Sequence, residues 1–113
     1  MSQREFQNCI DACIACAQAC EQCANACLGE REVARLADCI RLDVDCAHLC
    51  WSAASHMSRD SQFAAAVCAV CADACDACAI ECEKHQQMDH CRKCAAACHR
   101  CADECRQMAG ASA

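Results

Sequence analysis

The sequence predicts an all-α protein, an antiparallel up-down-up-down four-helix bundle with its cysteine rows facing the bundle axis. Three observations lead there. The 113 residues include no proline and two glycines, Gly29 and Gly110, so little interrupts long helices. Cysteine recurs at intervals of three and four residues, the spacing that keeps side chains on one helix face. Turn and capping signals divide the chain into four stretches.

The first stretch carries Cys9, Cys13, Cys16, Cys20, Cys23 and Cys27. At about 100° per residue these fall within an arc of roughly 80°, one stripe on one helix. Ser2 to Glu5 fits a capping box and Gly29 sits where a helix C-terminal glycine belongs, which gives a helix over about 2–28. A second helix, about 31–56, carries the sparser row Cys39, Cys46 and Cys50, and its stripe extends to Glu32, Asp43, Ala53 and Met57. Ser58 to Ser61 offers a turn and an N-cap for a third helix, about 60–86, holding Cys68, Cys71, Cys75, Cys78 and Cys82. Asp89 can cap a fourth, about 89–108, holding Cys91, Cys94, Cys98, Cys101 and Cys105. The three dense rows read as internal repeats of one helical unit. Short connections make successive helices antiparallel, and residues 1–113 amount to about one domain.

Composition narrows the function. Hydrophobic residues make up 57% with Cys included, yet there are two Phe, one Trp and no Tyr, so the core is built from small side chains and buries modest apolar area. A net charge of −6 argues against a nucleic-acid partner, which would favour a basic face. No charge block suggests a membrane surface, no 18-residue apolar stretch could span a bilayer, and Met1 to Glu5 lacks a secretory pattern. The expected compartment is the cytoplasm. There an odd count of 19 cysteines argues for free thiols or bound metal over a disulfide framework. No grouping of nucleophile, base and orienting residue can be read, so no enzyme is expected.

A solitary buried cysteine usually serves as a small hydrophobe. Whole rows of them are another matter, because Leu, Ile and Val fill a bundle axis better and do not oxidise. Thiolate is a soft donor suited to Cu(I), Zn(II) and iron–sulfur clusters. The ferredoxin spacing with its following proline is missing. A straight row offers i,i+3 and i,i+4 pairs, such as Cys13/Cys16 and Cys75/Cys78, that suit two-coordinate Cu(I) better than a closed zinc tetrahedron. Charge points the same way: one Cu⁺ replacing one proton per thiolate leaves the core neutral, whereas zinc on four thiolates leaves about −2 per site. The sequence therefore favours many Cu(I) ions, roughly one per cysteine. A metallothionein-like Zn(II) or Cd(II) buffer and a thiol redox buffer remain the alternatives.

The row Cys9 to Cys27, the segment Cys39-Ile40-Arg41-Leu42-Asp43 leading to Cys46 and Cys50, the row Cys68 to Cys82, and the His-containing link into Cys91 to Cys105 together resemble the cytosolic bacterial copper storage proteins. The resemblance covers essentially the whole chain. It implies reversible Cu(I) storage inside the bundle and, commonly, a homotetramer; a copper chaperone or recipient protein is the partner class to be sought.

With antiparallel helices one end collects Met1, Phe6, Trp51, Met57, Phe63 and Met108, a bulky apolar plug. The opposite end collects Cys27, Cys82, His85, Met88, His90 and Cys91, a mouth through which copper enters, with His85, His90 and Met88 as transient ligands. Asp43 falls on the inward stripe, where it could ligate metal, accept a thiol hydrogen bond or pair with Arg41. His48, His56, His99 and Trp51 point away from the thiol stripes, toward the surface or a seam.

Overall fold

The computed structural model describes residues 3–111, with side chains from Phe6 to Gly110. The capping box at Ser2 to Glu5 and the Met1 part of the plug lie outside what is described. Four α-helices follow in order: α1 (Gln3–Leu28), α2 (Ala37–Ser58), α3 (Ala64–Cys82) and α4 (Asp89–Ala111). Two short 3₁₀ turns, Val33–Leu36 and Glu83–His85, lie in the α1–α2 and α3–α4 connections. Helix α1 packs on α2 and α4, and α3 packs on those same two, so α1/α3 and α2/α4 are the diagonals of the bundle. The bundle is 45 Å long and 18 Å across.

Small side chains account for the slim cross-section. Between the thiol rows, Ala17, Ala47, Ala72, Ala79 and Ala102 are almost completely buried at the helix–helix seams, where a methyl group lets backbones approach closely. The antiparallel order shows in the thiol contacts: Cys9 meets Cys105 at one end of the α1–α4 pair and Cys23 meets Cys91 at the other. Cys39 meets Cys82, and Cys50 meets Cys71, across α2–α3.

Helix boundaries differ from the expected ones for local reasons. Gly29 follows α1 but has no positive φ. The helix closes instead through two tightened bonds, from Gly29 N–H to the Ala26 carbonyl and from Glu30 N–H to that of Cys27, both 3.1 Å. The chain then makes a 3₁₀ turn that tucks Leu36 into the core, so α2 begins at 37, not 31. The left-handed residue is Asp60, φ 53°. Asp60 N–H bonds to the Met57 carbonyl and Ser61 N–H to that of His56, a Schellman closure of α2 with aspartate in the position glycine usually takes. Because Asp60 ends α2, neither it nor Ser58 caps α3, which starts at 64 after the Ser61 hydroxyl accepts from Phe63 N–H at 3.1 Å. Helix α3 ends at Cys82, short of 86. At α4 the Met88 carbonyl takes the first helical bonds, while the Asp89 carboxylate pairs with Arg92 and Lys93.

The end opposite these 3₁₀ turns is closed by Met57 and Met108, both buried, with Phe6 packed on the same core. Phe63, 59% exposed, does not join them. Trp51 also lies elsewhere: its indole N–H reaches Glu21 Oε2 at 3.4 Å on the α1–α2 seam.

Leu36 is 1% exposed and belongs to the buried core, where the 3₁₀ turn of the α1–α2 connection places it. Leu36→Ala should lower the stability of the copper-free protein by about 2–5 kcal/mol in denaturant unfolding, with the thiol rows left in place.

Candidate metal centre

All nineteen cysteines are free and buried, and eighteen of them have no measurable exposure. Spacing on each helix aims them inward, and the four rows then interlock at van der Waals contact. Cys13 lies 3.5 Å from Cys105 and 3.6 Å from Cys101; Cys16 lies 3.7 Å from Cys98; Cys46 lies 3.6 Å from Cys75. Contacts also cross both diagonals, Cys16 to Cys75 at 4.0 Å and Cys50 to Cys101 at 3.7 Å. The sulfurs therefore line one column along the bundle axis. Several groups of four come within 4.8 Å of one another, such as Cys16, Cys46, Cys50 and Cys75. A row read alone supplies pairs; four rows around a shared axis supply closed sets, and this corrects the inference from spacing.

One carboxylate interrupts the sulfur. Asp43 is fully buried and occupies a row position where α2 would otherwise present a thiol. Its Oδ1 accepts hydrogen bonds from Cys78 at 3.1 Å, Cys94 at 3.3 Å and Cys82 at 3.8 Å, and its Oδ2 accepts from Cys39 at 3.9 Å. Of the roles open to it in the sequence, hydrogen-bond acceptance from thiols is the one realised here. Arg41 pairs with Asp38 instead. Burial, then the neighbouring Cys94, push the Asp43 carboxyl up to about 8.

At the mouth, His90 Nδ1 lies 3.4 Å from Cys23 Sγ, 3.6 Å from Cys91 and 4.0 Å from Cys27. Its other nitrogen, Nε2, meets Glu30 Oε1 at 3.2 Å. Burial pushes the Cys27 thiol up, with Cys39 and Cys91 adding to it, and pushes Cys91 up to about 11. A shallow cavity of about 220 Å³ opens against His90 and Cys23 between α1 and α4, with Lys93 and Asp89 at its rim. The structure does not bring His85 to the thiols in the same way: its Nε2 is held 3.2 Å from Glu81 Oε2. Met88 is half-buried against the core. Glu30 and Glu81 were not singled out by the sequence, and only the helix-end position of each hints at a link to a mouth histidine. As the sequence indicates, His99 faces outward, toward Glu83, and His56 bonds its own helix at the Ser52 carbonyl.

A profile of the copper storage proteins matches residues 2–110. The chain belongs to that family. Among solved copper storage proteins it is similar to the Cu(I)-bound copper storage protein BsCsp3, at 48% identity and a TM-score of 0.88 over 93% of this chain and 98% of the other. It is also similar to a cytosolic copper storage protein from Streptomyces lividans loaded with five coppers, at 43% identity and a TM-score of 0.91 over 95% and 93%. An uncharacterized cysteine-rich protein of Bacillus subtilis, YhjQ, is 50% identical over 84 residues, 74% of this chain and 77% of that one.

A raised carboxyl makes the copper-free native state of this copper storage protein hold one proton that the unfolded chain releases near its ordinary value of 3.8. The Asp43 contribution to native stability should therefore fall as pH rises from about 4 to about 8 and level off above, by up to about 1.4 kcal/mol per pH unit. Asp43→Asn should flatten that slope by one proton, measured as denaturant midpoints of reduced protein across pH. Parallel slopes for the variant and wild type would contradict it.

Proposed function

We propose that the protein stores and buffers Cu(I) in the cytoplasm, with the thiolates of all nineteen cysteines as ligands and a capacity near one ion per thiol. The observation that carries this reading is the column of nineteen buried, free thiols, interrupted by Asp43, whose close contacts measure 3.5–4.0 Å. Fifteen of the sulfurs lie in sets of ligand atoms within 4.8 Å of one another, so two- and three-coordinate sites can share ligands along the column. Each Cu⁺ that binds displaces one thiol proton, which leaves the buried column neutral however many ions it holds. The net charge then stays at its sequence value of −6. A relative described as cytosolic supports the compartment; no helix among the described residues is long and apolar enough to cross a membrane.

Copper enters at the mouth. His90, with Nδ1 facing three thiols, is the first inner ligand, while His85 and Met88 flank the approach. The opposite end, filled by Met57 and Met108, offers no soft ligand outside the column except thioether sulfur. A homotetramer is the assembly that the resemblance to the copper storage proteins implies. A copper chaperone or recipient protein is the partner class for loading and unloading. The role is storage, without a catalytic step.

Two measurements test this. Anaerobic titration of reduced protein with Cu(I), followed by thiolate-to-copper charge transfer, should continue toward about nineteen equivalents; saturation at one or two would overturn storage. Replacing His85 and His90 together with Ala should slow both uptake and removal by a competing chelator, His90 giving the larger part, while capacity stays nearly constant. Unchanged rates would mean that copper enters elsewhere or that entering does not limit the rate.

A further inference from the structure

Fifteen of the nineteen thiols fall, with His90, into four closed sets that share no residue. Three have one construction: an i,i+4 pair on one helix, closed by a thiol from each of two others. Cys101 and Cys105 are joined by Cys13 and Cys71; Cys46 and Cys50 by Cys16 and Cys75; Cys94 and Cys98 by Cys20 and Cys78. The fourth, at the mouth, combines Cys23, Cys27 and Cys91 with His90.

Two of the four have the dimensions of a tetrahedral centre. Metal–sulfur bonds of about 2.3 Å place tetrahedral ligand atoms about 3.8 Å apart. In the set around Cys46, five of the six ligand–ligand edges measure 3.6–4.0 Å. In the mouth set five of six measure 3.4–4.0 Å, the shorter ones to nitrogen, which suits its shorter metal bond. The mouth histidine is also oriented for a metal: Glu30 holds Nε2, which leaves the Nδ1 lone pair facing the thiols, the carboxylate–histidine–metal arrangement of many zinc sites.

Charge decides how many sets can fill with a dication. Four thiolates around a dication leave −2, which the surrounding protein must offset with hydrogen-bond donors. For the Cys46 set those donors are neighbouring thiols that keep their protons: Cys71 and Cys101 against Cys50, at 3.6 and 3.7 Å. They belong to the adjacent set of Cys13, Cys71, Cys101 and Cys105, so filling one of the two disarms the other. The set containing Cys78 and Cys94 carries a further penalty, since metal binding there removes the two S–H donors closest to the buried Asp43 Oδ1. The mouth set has three thiolates instead of four and lies at the solvent edge, where the residual charge costs least.

We infer that the copper-free protein carries two sites for a divalent, thiophilic ion of tetrahedral preference such as Zn²⁺ or Cd²⁺: a four-sulfur site at Cys16, Cys46, Cys50 and Cys75, and a three-sulfur, one-nitrogen site at Cys23, Cys27, Cys91 and His90. Each thiolate releases its proton as the metal bonds form. This second mode is of low capacity and is separate from the Cu(I) load, which fills the same sulfurs without building up negative charge.

Co²⁺ is the probe, because its visible absorption reports coordination geometry. Anaerobic titration of the reduced, copper-free protein should saturate at about two equivalents with intense tetrahedral bands, and Zn²⁺ should bleach them by competition. His90→Ala should remove one equivalent and leave the four-sulfur spectrum; Cys46→Ser with Cys75→Ser should remove the other and leave the mixed-ligand one. Weak octahedral absorption, no binding, or saturation at four or more equivalents would overturn the inference, as would loss of both sites in either variant whose helicity is native. A parallel Cu(I) titration of the same samples keeps the two readings apart: His90→Ala should retain its copper capacity whatever the cobalt result.

Discussion

Sulfur–sulfur contact along a single axis is the constraint on which the structure rests. A bundle core usually gains its stability by interdigitating branched aliphatic side chains. Here the axis is lined with thiols that carry one heavy atom beyond Cβ, and they touch only if the helices stand close. The buried alanines between the rows permit that approach, which is why the bundle is 18 Å across. Composition, helix spacing and site geometry are thus one property: replacing the alanines with larger residues would separate the rows, and a column of separated thiols could not share ions.

The same column explains the placement of charge. Thiols can be buried because they are neutral, and each can become a ligand only when a cation replaces its proton. Asp43 is the sole buried ionisable group among the described residues that is not a cysteine. It is tolerated because thiol donors from α2, α3 and α4 surround it. Other carboxylates, including Glu30 and Glu81 at the mouth, keep to the periphery, where solvent and histidine partners share their charge.

The fold class was legible because helical periodicity and cysteine spacing carry the same information: a residue repeated every three or four positions can face only one way on a helix. That one regularity gave four stripes, their inward direction and the inward position of Asp43. Local backbone chemistry was read less well. Gly29 looked like the left-handed helix end, but consecutive 3₁₀-type bonds closed α1 without one, and Asp60 took that conformation because the Schellman closure falls there. The plug was overfilled with Trp51 and Phe63, since linear position near a helix end does not say which side of the helix a residue occupies. At the mouth, proximity in sequence grouped His85 with His90; the structure separates them, because one turn of helix beside Glu81 directs His85 to a carboxylate while His90 reaches across to α1.

The two ends of the bundle are finished in different ways. The closed end has a Schellman motif that bonds the His56 and Met57 carbonyls of α2, and two methionines packed inside. The mouth end has both 3₁₀ turns, whose i,i+3 bonds are poorer and whose side chains, apart from Leu36, lie at the surface. Local opening should therefore cost less free energy at one end than at the other. Fraying in this molecule is polarised: the rim that carries His90 should loosen more readily than the shaft, where the deeper sulfurs stay packed.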